Sequence, residues 1–318
     1  MNTINDPHEM GSVTPTIAIL GAGSIGVSLC IVFARAGCQV RMWDVDGAAL
    51  SRAQRELDAK LAQLARANTL SELPGTLLAR VTWHESLEDA VKGAALVQEC
   101  IPEQLELKQR LLADLAVLAP ADAVLASSTS AITPSALAEG SAVAGRILVG
   151  HPANPPWLLP VIEVVPSVHT NPACTQRACA IYRQGGLTPV MVRQEVEGFV
   201  FNRLQGAVLR EAYCLVRDGV ISVADLDAIV TLGLGRRWGV VGPFETADLN
   251  TRGGIASHAK KMGAAYARMG AERGQHDPWT DELVEEVSRQ RREILEIGDW
   301  EARVQWRDEQ LLKQAGRS

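Results

Sequence analysis

The sequence predicts an α/β domain built on a doubly wound parallel sheet, followed by an all-α domain. Three observations carry that prediction. Short apolar runs alternate with helix-patterned segments from residue 16 to about residue 192. A glycine-rich turn joins the first run to the first helix. Strand-like runs stop after Glu197, and only helical spacing follows.

The elements follow in order. Thr16–Leu20 is a short apolar run ending at glycine, as a buried parallel strand does. Ser24–Ala36 has helical character and stops at Gly37. Gln39–Trp43 reads as a second strand, and Gly47–Ala67 as a long helix rich in Ala and Leu. Strands near Arg80–Trp83, Ala95–Cys100 and Ala123–Ala126 alternate with helices near Leu87–Lys92 and Leu105–Leu118. Thr133 and Pro134 have the pattern of an N-cap followed by proline in the first turn. Arg146–Gly150, Val161–Val165 and Thr188–Val192 complete the strands.

From Glu197 the character changes. Val200, Leu204, Val208, Ala212 and Leu215 recur at helical spacing, and Phe199, Leu209, Tyr213 and Val216 form a second apolar face. A helix apolar on two sides is expected to lie between two partners. Gly219 ends it, and Ser222 with Asp225 is a plausible capping box for the next helix. The expected boundary therefore falls near residue 195. Residues 1–195 form the sheet domain, with Met1 to Thr14 as a loose tail, and residues 196–318 form the helical domain.

Composition narrows the function. Of 318 residues, 47% are hydrophobic and 21% charged, and the formal net charge is −6. That composition supplies a core, and a mildly acidic chain without a basic block does not suit nucleic acid or an anionic membrane. No apolar run reaches the roughly 18–20 residues that span a bilayer, and the tail lacks an apolar signal core. The six cysteines form no CxxC pair, so no metal site is expected. Free thiols as small core hydrophobes suit a reducing cytoplasm.

Gly21-Ala22-Gly23-Ser24-Ile25-Gly26 is GxGxxG, placed after a strand and at the opening of a helix. That context makes it a Rossmann-type dinucleotide fingerprint. The first glycine permits the turn, the second lets backbone approach a pyrophosphate, and the third lets helix pack on strand. The helix N-terminus presents free N–H groups to the phosphates. Asp44 stands 18 residues after Gly26, at the end of the second strand. A carboxylate there accepts from both ribose hydroxyls and repels a 2′-phosphate, so the expected cofactor is NAD.

Chemistry is expected at strand ends facing the cleft, where Ser130, His151, Glu163 and Asn202 stand out. Each has an ordinary alternative: a structural histidine, a solvent-edge carboxylate, a turn serine and a capping asparagine. Ser127, Ser128 and Thr129 compete for the role of Ser130.

Four stretches taken together resemble the L-3-hydroxyacyl-CoA dehydrogenase family. They are ASSTS (Ala126–Ser130), GHPANPP (Gly150–Pro156), VIEVV (Val161–Val165) and GFVFNRL (Gly198–Leu204). Order and spacing match from the first strand to about Leu249. The stretch GLGRRWGVVGPFETADLN (Gly233–Asn250) is most similar to the free-acid branch, which includes L-gulonate 3-dehydrogenase, also recruited as lambda-crystallin. The resemblance implies oxidation of a 3-hydroxyl, with His151 as the general base paired to Glu163, and Ser130 and Asn202 binding the substrate oxygen. A histidine suits that role because it titrates near neutrality. Glu103 and Lys108 resemble the family's pair near the nicotinamide ribose, or are the exposed first turn of a helix. Asn154 resembles an asparagine beside the nicotinamide, or caps backbone between two prolines.

Arg237 carries the substrate expectation. A fixed guanidinium holds a small carboxylate bidentately, which a free hydroxy acid offers and a thioester does not. The gulonate-type resemblance places an arginine at Arg237, and Arg236 is its neighbouring competitor. The expected reaction is thus NAD-dependent oxidation of a small free L-3-hydroxy acid. An acyl-CoA substrate, L-carnitine (with Trp157 and Trp238 available to a trimethylammonium) and a non-enzymatic crystallin-like role are the alternatives. The resemblance also implies a homodimer formed by the helical domain. The charged, helix-patterned segment Pro278–Gln314, with Trp279, Trp300 and Trp306, wraps the partner or packs on its own domain.

Overall fold

The computed structural model describes residues 14–275, 280–304 and 306. The tail before Thr14, Trp279 and most of the segment after Val304 lie outside the described residues. The chain divides into two compact units, Met1–Val208 and Leu209–Ser318.

The first unit holds one eight-stranded sheet. Its strands are β1 (Thr16–Leu20), β2 (Gln39–Trp43), β3 (Val81–His84), β4 (Leu96–Glu99), β5 (Val124–Ser127), β6 (Ile147–Pro152), β7 (Val161–Pro166) and β8 (Thr188–Met191). The order is β3-β2-β1-β4-β5-β6-β7-β8. The connection from β1 to β2 leaves on one side of the first strand and β4 pairs on the other. That reversal is the switch point where a doubly wound sheet opens a crevice.

Helices cover both faces. They are α1 (Ser24–Arg35), α2 (Gly47–Arg66), α3 (Pro74–Leu78), α4 (Leu87–Val91), α5 (Leu105–Leu118), α6 (Pro134–Ala138) and α7 (Pro172–Gln184). Alternate residues of each strand feed opposite cores, as the two-residue period requires. Ile17, Ile19, Val40, Met42 and Leu148 pack with α1, α2 and α7. Ala18, Leu20, Val97, Leu125 and Val149 pack with α4, α5 and α6. Helix α1 is buried without a break from Gly26 to Ala34, which fits its nearly uninterrupted apolar sequence.

The sheet departs from the all-parallel expectation at one place. β7 runs antiparallel to β6, whereas the other pairs are parallel. Residues 153–160, which join β6 to β7, are too few for the crossover of a dozen or more that a parallel pair needs. α3 and α7 are two helices that the periodicity did not announce. α7 starts at an Asn171 side chain that accepts from Ala173 N–H, with Pro172 in the first turn.

Helix α8 (Phe201–Arg217) begins in the first unit and ends in the second. Its two apolar faces are present, but no residue of it is buried within the chain. Leu204 and Tyr213 are among those exposed. The second unit is helical throughout its described residues: α9 (Val223–Ile229), a π-helical turn Val230–Leu234, α10 (Gly235–Trp238), α11 (Pro243–Asn250), α12 (Gly254–Glu272) and α13 (Asp281–Ile294). Ser222 caps α9 by accepting from Asp225 N–H, as its spacing predicts. Within this unit, Asp248 and Glu245 of α11 hold Arg291 of α13, a buried guanidinium with two carboxylate partners. All six cysteines are free. No helix among the described residues is long and apolar enough to cross a membrane.

Candidate active site

The glycine turn after β1 has the shape of a phosphate cradle. Gly21 has φ +113°, and a Cβ there would sit 2.6 Å from the carbonyl oxygen of Cys100. A Cβ on Gly26 would sit 2.1 Å from the carbonyl oxygen of Gly21. A Cβ on Gly23 would meet nothing within 4 Å, so the chain leaves open space where a pyrophosphate has to approach. Gly23 is also the N-cap of α1, and no side chain satisfies the first N–H groups of that helix. Asp44 follows β2, and its carboxylate is aimed by the N–H groups of Ala22 at 2.8 Å and Asp46 at 3.0 Å. These residues fit a dinucleotide with free ribose hydroxyls. Among the described residues, no group of three or more His, Cys, Asp or Glu is arranged to hold a metal.

A cavity of about 300 Å³ opens beside this turn, lined by Ile25, Cys100, Glu103, Lys108, Ser128, Ser130, His151 and Asn154 among others. Its walls come from the carboxyl ends of β4, β5 and β6, where doubly wound folds place their ligands.

His151 and Glu163 face each other because the antiparallel register of β6 and β7 pairs them directly. His151 Nδ1 lies 2.8 Å from Glu163 Oε2, with 8% and 4% of the two residues exposed. Glu163 Oε1 accepts from the N–H groups of Val200 at 2.8 Å and Phe201 at 3.0 Å. Burial would raise the Glu163 pKa. Hydrogen bonds from His151 and from those two N–H groups, with the His151 charge, outweigh it and hold the carboxyl below its ordinary value. Nδ1 is thus committed to the carboxylate, and Nε2 is the ring nitrogen left for a ligand.

Asn202 donates to the carbonyl oxygen of Ser130 at 3.1 Å, so α8 is tied to the loop after β5. The four serine-loop candidates separate by environment. Ser127 is buried and donates to Glu99, and Thr129 is buried and donates to Glu103. Ser128 and Ser130 line the cavity. The Ser130 hydroxyl has only a long 3.5 Å contact with Glu103, which leaves it available to a ligand. Asn154 is exposed on the cavity wall.

Lys108 differs from the exposed helical turn that was the alternative to a ligand role. It is 1% exposed, and Nζ bonds Glu99 Oε1 at 2.7 Å, the Ile101 carbonyl at 3.1 Å and Glu103 Oε2 at 3.4 Å. Glu99 is the residue that sequence reasoning missed. A lone acid closing an apolar strand, nine residues before a lysine, was the available signal. Burial pushes the Glu99 pKa up, against Lys108 and the donors from Ser127 and Ile101. Glu103 ends below its ordinary value, since the Thr129, Lys108, Ser130 and Ala131 interactions outweigh its desolvation. Cys100 is also on the wall, and burial pushes its thiol up to about 12, so it stays a neutral surface and not a nucleophile.

Lys108→Met leaves the Glu99 carboxylate without its cation. The expected loss is about 3–5 kcal/mol at neutral pH, read from urea unfolding. A carboxyl whose folded pKa is raised contributes stability below the unfolded value and loses it as pH rises through the folded one. The Lys108→Met deficit is therefore expected to be larger at pH 8 than at pH 5; a deficit independent of pH would contradict this account.

Arg237 lies in α10 of the second unit. It and Arg236 are both half-buried, and among the described residues neither has an ion-pair partner.

Comparison with known proteins gives the family. Residues 16–196 match the model of the 3-hydroxyacyl-CoA dehydrogenase NAD-binding domain, and residues 198–300 match that of the 3-hydroxyacyl-CoA dehydrogenase C-terminal domain. A lambda-crystallin homolog from Bos taurus is 39% identical over 269 residues, covering 81% of each chain. An L-carnitine dehydrogenase from Streptomyces griseus is 38% identical over 86% of this chain and 78% of its own. The crystal structure of 5-formyl-3-hydroxy-2-methylpyridine 4-carboxylic acid 5-dehydrogenase, an NAD+-dependent dismutase, superimposes with a TM-score of 0.71. It is 29% identical and covers 93% of this chain and 99% of that one. The chain belongs to the 3-hydroxyacyl-CoA dehydrogenase family of NAD-dependent oxidoreductases acting on CH–OH groups.

Proposed function

We propose that this protein oxidises the 3-hydroxyl of a small free L-3-hydroxy acid of the L-gulonate type to the 3-keto acid. The observation that carries the reading is the buried His151–Glu163 pair, whose histidine lines the cavity shared with Ser130, Glu103, Lys108 and Asn154. Residues 1–195 serve NAD, and residues 196–318 serve substrate and a homodimer contact. The exposed apolar faces of α8 support that contact, and the free thiols suit a reducing cytoplasm.

When bound, NAD supplies the hydride acceptor. His151 Nε2 takes the hydroxyl proton as the C–H bond breaks. Glu163 holds the tautomer through Nδ1 and balances the imidazolium. Ser130 donates to the substrate oxygen, and Asn202 keeps the Ser130 loop in register with α8 through its bond to the Ser130 carbonyl, with its carboxamide assigned to the same substrate oxygen by the family resemblance. The glycine turn (Gly21, Gly23, Ser24, Ile25, Gly26) and Asp44 hold the dinucleotide, with Glu103, Lys108 and Asn154 toward its nicotinamide end. Arg237 holds the substrate carboxylate.

Two kinds of relative support a free acid. L-Carnitine carries a carboxylate, and the dismutase named above acts on a pyridine carboxylic acid. The test follows NADH formation with L-gulonate, L-carnitine and L-3-hydroxybutyryl-CoA side by side. Turnover of a free acid is expected, with KM raised about 100-fold or more in Arg237→Ala and little changed in Arg236→Ala. Turnover of the thioester alone would return the protein to acyl-CoA chemistry. NAD binding without turnover of any substrate would favour a crystallin-like role.

A further inference from the structure

The segment between β8 and α8 contains two consecutive residues in the left-handed region, Gly198 at φ +74° and Phe199 at φ +49°. Glycine enters that region freely, whereas a bulky residue does so only when its surroundings hold it there. Phe199 is held. Its side chain is completely buried in the core beneath α5 and α6, and its N–H donates to the Val196 carbonyl at 3.0 Å. Its ring lies 5.6 Å from the His151 ring, tilted by 51°. The next two N–H groups, of Val200 and Phe201, are those that donate to Glu163 Oε1. A left-handed residue followed by helix turns successive N–H groups toward one point, forming a concave anion site in the backbone.

We propose that the Gly198–Phe199 turn is a positioning element for the reaction. It builds a two-amide backbone seat for one oxygen of Glu163, so that the other oxygen meets His151 Nδ1, and it sets the Phe199 ring against the imidazole. This rests on the reading of His151 as the base. Without the seat, Glu163 would be a buried carboxylate with one partner and freedom to rotate about its last torsion. With it, both oxygens are committed and the imidazole has one orientation. The same turn starts α8, and so sets the distance at which Asn202 reaches the Ser130 carbonyl.

Lys108, Glu103 and Glu195 nearby are already committed. Lys108 and Glu103 on the cavity wall bond each other, Glu99 and Thr129. Glu195 in the same connecting segment bonds Ser135 at the start of α6. Arg203 lies along the turn, with Cγ 3.8 Å from where a Gly198 Cβ would stand. None of these is hydrogen-bonded to the Glu163 oxygens.

Gly198→Ala isolates the backbone contribution. The added methyl would meet only Asn202 Cβ at 3.7 Å and Arg203 Cγ at 3.8 Å, which is ordinary contact, so the substitution opposes the torsion alone. Gly198→Asn is the conservative control, since asparagine tolerates the left-handed region. Phe199→Val opposes the same region through its β-branch while keeping an apolar side chain. The spectroscopic readout is the low-field proton resonance of His151 Nδ1–H bonded to Glu163, assigned by its loss in His151→Gln and its shift in Glu163→Gln, where a neutral amide replaces the carboxylate acceptor. The second readout is the split between kcat and NAD affinity, with thermal unfolding confirming that each variant is folded.

Gly198→Ala and Phe199→Val are expected to broaden or lose the resonance and lower kcat about 10-fold or more. NAD affinity should hold within about threefold, and Gly198→Asn should recover both signals. A folded Gly198→Ala protein with the wild-type resonance and kcat would overturn the proposal. A resonance lost in Gly198→Ala and regained in Gly198→Asn, in a protein where His151→Gln keeps full turnover, would support the seat and overturn only the assignment of the base.

Discussion

His151→Gln is expected to lower kcat for alcohol oxidation by about 10²–10⁴-fold, the range that a positioned general base contributes. Glutamine keeps a polar side chain of similar reach but takes no proton near neutral pH. NAD affinity, measured by quenching of protein fluorescence, is expected to change by less than about threefold, because the pyrophosphate turn and Asp44 follow β1 and β2, which are separated from β6 by β4 and β5. Glu163→Gln should follow with a smaller loss, since an amide still accepts from Nδ1–H but cannot balance the imidazolium. The Glu163 carboxyl sits below its ordinary value of 4.5 in the folded protein. A carboxyl so depressed contributes stability above its unfolded pKa and loses it as pH falls through the folded one. The stability difference between wild type and Glu163→Gln is therefore expected in full above about pH 4.5 and should shrink on further acidification. Retention of more than a tenth of the wild-type kcat by His151→Gln would remove this residue from the chemistry.

The second large effect is expected at the glycine turn, where two substitutions that look alike should differ. A Gly26→Ala methyl would stand 2.1 Å from the Gly21 carbonyl oxygen, closer than real carbon atoms approach. Relief would need α1 to move off β1, but α1 is buried from Gly26 to Ala34 and has no slack. A stability loss of about 1–3 kcal/mol is expected from the overpacking. NAD should bind about 100-fold or more weakly, because the turn that cradles the phosphates has shifted. Gly23→Ala meets nothing in the protein itself. Its unfolding midpoint should match the wild type, yet its NAD affinity should fall because the methyl enters the space needed by the pyrophosphate. Isothermal titration with NAD and urea unfolding on both variants separate the two. Wild-type affinity in Gly23→Ala would show that the cofactor does not approach the backbone there.

Much of the first unit was legible because its determinants are local. β1, β2 and α5 fall at the residues their apolar patterns indicated, and the other expected strands differ only by a residue or two at their ends. Apolar runs of four or five residues between glycine turns have little choice in a parallel sheet buried on both faces. α7 was harder to read. Its buried face uses Thr175, Ala178 and Cys179 beside Ile181 and Tyr182, and small or polar residues carry a weak hydrophobic period.

What the sequence by itself determined was the cofactor half of the protein and the inventory of its chemistry. Gly21, Gly23, Gly26 and Asp44 have meanings set by backbone geometry one strand and one turn away, and those meanings survive without a structure. The pairing of His151 with Glu163 was named from resemblance, but only the antiparallel register of β6 and β7 gives its physical cause. Whether a carboxylate is buried and what seats it depend on contacts between distant segments. Glu99 is therefore legible only with Lys108 and Ser127 bonded to it, and so are the N–H groups of Val200 and of Phe201, the first residue of α8, that hold Glu163. Side-chain identity specifies what a group can do, and the tertiary structure decides which groups lose water together and so must satisfy one another.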